Sequence, residues 1–341
     1  MNLQRFVLVA VATTLVATVT ARSAFDALIG SEHRSNANGD TWAVLVAGSM
    51  GWGNYRHQAD VAHAYQVLRK GGIKEDRIIT LMYNDVANNA ANPHPGKLFN
   101  KPGGGDVYDG VVVDYEGEHV TAATFMAVLA GDKSKVSNTT GSSGRVLDSK
   151  AEDHVFVYFS DHGAPGIISM PVGPFVYADQ LLSTLRARHA ANGFGSMVLY
   201  IEACESGSMF EGLLEEDLNI WAVTAANGKE SSWGTYCPGQ DPSPPPEFTT
   251  CLADLFSAAW MEDAEDSDAC QETLQKQFDN VRLRTSQNNT YAQGSHVQHF
   301  GTLEMGENHT SAFLGSGTCK YQPGVVDNAR SNAPAANSRR R

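Results

Sequence analysis

Dense aliphatic runs alternate with segments in which apolar residues return every three or four positions. WAVLVAG (42–48), RIITLMY (77–83), HVFVYFS (154–160), MVLYIEA (197–203) and NIWAVTAA (219–226) have the density of buried strands. Arg56–Lys70, Thr121–Ala130, Tyr177–Ala190, Leu252–Met261 and Gln271–Arg284 carry the helical period. Gly71-Gly72 stops the first of these helices, and Thr121 caps the second. The stretch between the second strand and Thr121 is rich in Gly, Pro, Asn and Asp and predicts irregular chain. HVQHFG (296–301) predicts a last, edge strand. Strand and helix in repetition predict an α/β fold, a largely parallel sheet with helices on both faces.

The chain's first residues change how the rest is read. Arg5 precedes an apolar run from Phe6 to about Val19, and Val19-Thr20-Ala21 offers small residues at a cleavage site. Residues 1–21 therefore predict a secretory signal peptide, too short for a comfortable membrane span. The mature protein is expected to be soluble, with no membrane partner. A formal charge of −13 argues against nucleic acid as a partner. An oxidising compartment makes the five cysteines candidates for pairing, and an odd count leaves one thiol over. Cys237 and Cys251 bracket a proline-rich loop that a disulfide would close. Cys270 and Cys319 can pair, but nothing in the sequence decides it. Asn138, Asn288 and Asn308 stand in Asn-x-Ser/Thr triplets and are candidate glycan sites.

Two of the strand runs end in reactive residues. HVFVYFS is followed by Asp161, His162 and Gly163, and MVLYIEA leads into Cys204. Sites in open parallel sheets form beyond the carboxyl ends of the strands. If these two strands are neighbours, an imidazole stands beside a thiol. It can take the thiol proton and return it to a leaving amine. Gly163 lets its N–H approach a substrate, and with the N–H of Cys204 it can hold an oxyanion. A lone cysteine or histidine after a strand is more often a packing residue; the pair together is what points to chemistry. His57 and His63 do not share a helix face with a third ligand, so no metal site and no cofactor is expected.

Several segments carry a resemblance. VAGSMGWGNYRHQADVAHAY, NPHPGKLFNKPGGGDVYDGV, DHVFVYFSDHG, YIEACESGSMF, TAANGKESSWGTYCPG and CLADLFSAAWMED closely resemble the legumains, or asparaginyl endopeptidases, of the plant branch. The resemblance covers roughly residues 40 to 305. It implies a caspase-like fold with a six-stranded sheet, Cys204 as nucleophile, His162 as base and Asn54 as the residue orienting it. It maps an S1 pocket onto Arg56, His57, Glu202, Ser231 and Asp254. Such a pocket suits a carboxamide, which accepts from Arg56 and donates to Glu202 and Asp254. Cleavage after Asn is implied, and after Asp only where acid removes charge. Protein and peptide substrates, an acidic vacuole or lysosome (or secretion to the outside) and cystatin-type inhibitors are implied likewise.

Three function classes follow: an endopeptidase, a transpeptidase or ligase (including the relative that attaches glycolipid anchors), and a catalytically dead binding protein. Gly234, after the Trp of SSW, matches the family's hydrolase-leaning members, so hydrolysis is expected first. The expected layout is signal peptide 1–21, a short propeptide or linker 22–40, a peptidase domain 41–305 and a tail 306–341. The family's C-terminal helical prodomain is expected to be absent or truncated, leaving a chain that is active unprocessed or that folds poorly without its cap. The polar end after Gly324 is expected to be disordered. Asn36, Asn38, Asn328, Asn332 and Asn337 are candidate self-trimming positions in the flanks.

Overall fold

The computed structural model describes residues 39–289, 292 and 295–319. The expected signal peptide, the linker up to residue 38, the five candidate self-trimming positions and the end of the tail lie outside the described residues.

The sheet elements are β1 (Thr41–Ala47), β2 (Ile78–Leu81), β3 (His154–Ser160), β7 (Ser196–Glu202), β8 (Ile220–Thr224) and β11 (Gln298–Gly301). A small hairpin system holds β4 (Gly163–Ala164), β5 (Ile167–Ile168) and β6 (Val176–Tyr177), and a two-stranded ribbon pairs β9 (Gly234–Thr235) with β10 (Ala253–Asp254). The helices are α1 (Tyr55–Lys70), α2 (Ala122–Ala130), α3 (Ala178–Ala190), α4 (Leu255–Asp266), α5 (Leu274–Ser286) and the short α6 (Ser311–Leu314). The main sheet runs β11–β8–β7–β3–β1–β2, parallel throughout except for the antiparallel edge strand β11.

The strands are continuous apolar runs because both faces are covered. Side chains alternate between faces with a period of two. Val155, Val157 and Phe159 of β3 and Met197, Leu199 and Ile201 of β7 enter one core, with Phe125 and Val128 of α2 and Leu181 and Leu185 of α3. Phe156, Tyr158, Val198 and Tyr200 enter the other, with Val61 and Leu68 of α1, Phe256 and Trp260 of α4 and Phe278 of α5. Trp260 meets Phe156, Tyr158 and Tyr200 edge to face, with centroids 5.2–5.6 Å apart. This parity matters for the site: Ser160 and Glu202 continue the face that α1 and α4 cover.

Several boundaries differ from expectation, each for a local reason. The helix expected from Leu252 begins at Leu255, because Ala253 and Asp254 are held extended against Thr235 and Gly234. The helix expected from Gln271 begins at Leu274, where the Thr273 hydroxyl accepts from Lys276 N–H as an N-cap. Thr121 caps α2 in the same way, at 3.1 Å. Packed structure also runs past residue 305: Phe313 and Leu314 are buried in the second core. Cys270 pairs with Cys319 across 49 positions. Cys237 pairs with Cys251, closing the proline-rich loop, and Cys204 is the one free thiol. No helix among the described residues is long and apolar enough to cross a membrane.

Candidate active site

β3 and β7 are parallel neighbours with Ser160 opposite Glu202. The pairing continues one step, since Asp161 N–H donates to the Glu202 carbonyl at 3.0 Å. His162 and Cys204 therefore leave the sheet at one edge. The third member comes from the turn after β1, where residues 52–54 form a single 3-10 turn. Asn54 Nδ2 donates to the Met50 carbonyl at 3.0 Å, which fixes the amide so that its oxygen faces His162 Nε2 at 2.9 Å. An accepting oxygen there requires the proton on Nε2, so the neutral ring keeps its lone pair on Nδ1. That nitrogen is free to accept a proton.

The thiol rests on the Ser232 carbonyl, 3.8 Å away, rather than on His162. Rotation about the Cα–Cβ bond of Cys204 is thus the first step toward a thiolate–imidazolium pair. The chain turns sharply after the thiol: Glu205 adopts φ 48°, its N–H donates to the Glu230 carbonyl at 2.7 Å, and its own carbonyl accepts from Ser208. Gly163 packs against this turn so closely that a Cβ would lie 2.3 Å from the Cys204 carbonyl oxygen. Ser169 N–H donates to the His162 carbonyl, so the next antiparallel pair, Gly163 and Ile168, is the non-hydrogen-bonded one. The N–H of Gly163 then points out of the hairpin, as an oxyanion donor must.

Behind the thiol lies a charged pocket. Arg56 Nε donates to Asp254 Oδ1 at 2.7 Å, and this pair is mostly buried. Glu202, 1% exposed, takes Ser257 N–H and the Ser257 hydroxyl on one oxygen, at 2.9 and 3.0 Å. Its other oxygen and Asp254 Oδ2 are buried and make no well-aligned hydrogen bond within the protein. Burial and the neighbouring Asp254 push the Glu202 carboxyl up to about 8. His57 is wedged between the pocket and His162, with ring centroids 4.9 Å apart. Its Nδ1 lies 2.6 Å from Ser49 Oγ and 3.0 Å from Asp161 Oδ1, and its Nε2 lies 3.4 Å from Asp254 Oδ2. Burial lowers His57 to about 3, so the ring carries one proton and can donate to only one of the two carboxyl groups on its opposite sides. Burial raises Asp161 to about 6, while the adjacent His162 draws it down.

His57, Asp161 and His162 offer ligand atoms within 4.8 Å of one another, a trio the expectation of no metal site had not included. His57 Nδ1 is already engaged with Ser49 and Asp161, and His162 Nε2 with Asn54.

Three raised carboxyls favour the fold at acid pH, and the buried His57, held neutral, opposes them below the ordinary histidine value. Glu202 near 8, Glu272 near 7 and Asp161 near 6 all bind protons more tightly folded than unfolded. For raised carboxyls the folded state holds more protons between the unfolded value near 4 and the folded one, so stability falls as pH rises through that window. The melting temperature is expected to drop by on the order of 5 °C between about pH 5 and pH 8. Thermal melts in buffers of equal ionic strength check this, and a rise with pH contradicts it.

Of the expected pocket residues, Arg56, His57, Glu202 and Asp254 are brought together. Ser231 is exposed on the rim; its neighbour Ser232 instead takes the thiol on its carbonyl and contacts Glu202 with its hydroxyl. Gly234 lies opposite Asp254 in the ribbon, and a Cβ there would stand 3.3 Å from Cys251 Sγ and 3.6 Å from Arg56 Cδ. Residues not anticipated include Ser49, Asp60, Asp161 and Ser257. Asp60 had a legible signal, the one carboxylate of the helix and one turn after Arg56. Ser257 had none.

The profile of the Peptidase C13 family matches residues 41–316, and the chain belongs to that family. It is 55% identical over 300 residues to a vacuolar-processing enzyme of Ricinus communis, covering 87% of this chain and 59% of the relative. It is 57% identical over 263 residues to the vacuolar-processing enzyme beta-isozyme of Arabidopsis thaliana, covering 77% and 54%. With the legumain of Canavalia ensiformis the figures are 56% over 267 residues, 78% and 56%. The chain thus spans a little over half the length of these curated relatives. Among solved structures, caspase-1 from Spodoptera frugiperda matches with a TM-score of 0.46 and 9% identity, over 78% of this chain and 87% of that one.

Proposed function

We propose that this protein is a cysteine endopeptidase that hydrolyses peptide bonds after asparagine. The observation that carries the reading is the pocket beside Cys204: one guanidinium with two buried acceptor oxygens, Glu202 Oε1 and Asp254 Oδ2, that make no well-aligned hydrogen bond within the protein. A carboxamide offers both the acceptor and the two donors that this set lacks. Cys204 Sγ attacks the carbonyl carbon while its proton passes to His162. The oxyanion is held by the N–H groups of Gly163 and Cys204. The C–N bond breaks as His162 protonates the amine; water then attacks the thioester, giving its proton to His162, and the C–S bond breaks, releasing the acid product as the proton returns to the Cys204 thiolate. Asn54 holds the ring for both transfers.

Names of the relatives favour proteolytic processing in a vacuole as the setting. Cystatin-type inhibitors and glycans on the exposed Asn138, Asn288 and Asn308 belong to the same reading. Hydrolysis is favoured over ligation by Gly234, whose missing side chain leaves Arg56 and the Cys237–Cys251 bridge unpressed.

The test is a peptide with one internal Asn and one internal Asp, incubated with the protein at about pH 4.5 and pH 7 and read by mass spectrometry. Cleavage after Asn is expected at both, and after Asp only at the acid end. There the substrate carboxyl gains its proton and its repulsion from the pocket's negative charge disappears. Cleavage elsewhere, or equal cleavage after Asp at pH 7, overturns the reading.

A further inference from the structure

The acid pocket has a deeper layer. Asp60, on α1 one turn from Arg56, is completely buried. Three elements aim donors at its carboxyl group. Asn100 Nδ2 donates to Oδ1 at 2.7 Å, Ser160 Oγ donates to Oδ2 at 3.1 Å, and Asp254 N–H lies 3.3 and 3.4 Å from the two oxygens. Asn100 is itself fixed: it donates to the Leu252 carbonyl, and its oxygen meets His63 Nδ1 at 2.8 Å. His63 Nε2 faces Glu265 at 3.4 Å, and Glu265 pairs with Lys101 near the surface. Donors converging on a carboxyl favour its ionised form, while burial and like charges disfavour it.

The charged and titratable groups around Asp60 are Arg56 on its own helix, Asp254 on β10, Glu202 on β7 and Tyr158 on β3. Three carboxyls thus share one guanidinium. Burial first, and then Asp254 and Glu202, push the Asp60 carboxyl well above the usual carboxylate range.

We infer that Asp60 is a specificity-determining residue: acting through Asp254 and Glu202, its charge sets the pH at which the pocket admits an aspartate. This rests on the asparaginyl reading above. When Asp60 is ionised, an incoming aspartate carboxylate meets an excess of negative charge and is rejected. As pH falls Asp60 takes up a proton, one charge leaves the pocket, and aspartate is admitted. A neutral carboxamide is far less sensitive to the same change. The polar chain through Asn100 and His63 holds Asp60 in place without touching substrate.

The experiment measures kcat/KM for two peptides that differ only in Asn or Asp before the scissile bond, from about pH 4.5 to pH 7. In Asp60→Asn, which keeps shape and removes the charge, the Asp-to-Asn ratio at about pH 6 is expected to rise roughly tenfold over wild type, with a shallower decline toward pH 7. Ser160→Ala removes one donor and no charge. Asp60 then keeps its proton to higher pH, and the decline moves up by roughly half a pH unit. A merely structural role lowers both constants together and leaves the ratio alone. Either variant, folded by thermal melt and with the wild-type ratio at every pH, overturns the inference; if Asp60→Asn does not fold, Ser160→Ala decides. A wild-type chain that never cleaves after Asn overturns the function reading and the inference with it. Asn cleavage with an unmoved ratio overturns the inference alone.

Discussion

Cys204→Ala is expected to lower kcat/KM for asparaginyl cleavage by on the order of 10⁵-fold, to a rate indistinguishable from buffer. The thiol is the single free cysteine in the described fold, and every donor and acceptor of the site is arranged around it. The loss is expected without unfolding. The side chain is only half-buried and holds one weak contact, to the Ser232 carbonyl at 3.8 Å, so alanine removes little packing. His162→Ala is expected to cost nearly as much, and the double variant no more than Cys204→Ala alone. A base without a nucleophile and a nucleophile without a base are equally idle. Initial rates on a fluorogenic Asn peptide, with melting curves for all three variants, test this. A residual rate within tenfold of wild type for Cys204→Ala means that another group attacks the carbonyl.

The two parts of this site differ in how far the chain alone revealed them. The catalytic pair was legible because each member ends a continuous apolar run, and parallel strands bring their carboxyl ends to one edge. That argument needed only the adjacency of β3 and β7, which the sheet order supplies. Arg56, Glu202 and Asp254 came from segment resemblance, not from any rule of spacing; they lie on α1, β7 and β10, and no local pattern says that these meet. The inward position of Ser232 beside the exposed Ser231 was not legible for the same reason. In a turn outside any strand, no alternation decides which of two serines faces inward, whereas Glu202 two residues before Cys204 is placed by strand parity. The helix start at Leu255 was missed because Ala253 and Asp254 pair with a distant ribbon strand, and propensity cannot see a partner 20 positions away (Gly234 to Asp254). Asp60 shows the opposite case. The one carboxylate of that helix, a turn after Arg56, was visible, but its meaning depends on Ser160, Asn100 and Asp254 arriving from three other parts of the chain.

Gly163→Ala is the substitution in which fold and chemistry are hardest to separate, and it is expected to lower kcat by about 10³-fold. An added Cβ would stand 2.3 Å from the Cys204 carbonyl oxygen and 3.0 Å from Ala203 Cβ. Neither neighbour is the free end of a flexible side chain, so relief has to come from backbone. Either the β4–β5 hairpin lifts from the turn after β7, or that turn retreats. Both movements separate the N–H of Gly163 from the place where the oxyanion forms. Losing one such donor costs on the order of 10²–10³-fold, and misplacing the reacting groups by about 1 Å adds to it. The thiol itself survives, so its alkylation by iodoacetamide is expected to stay within a few-fold of wild type, because that reaction makes no oxyanion. The pairing of lost turnover with retained alkylation distinguishes a displaced oxyanion donor from a collapsed site, in which both are lost. A Gly163→Ala enzyme that keeps its turnover within tenfold means that the oxyanion is held elsewhere. The closeness of Gly163 to Cys204 would then be a matter of packing only.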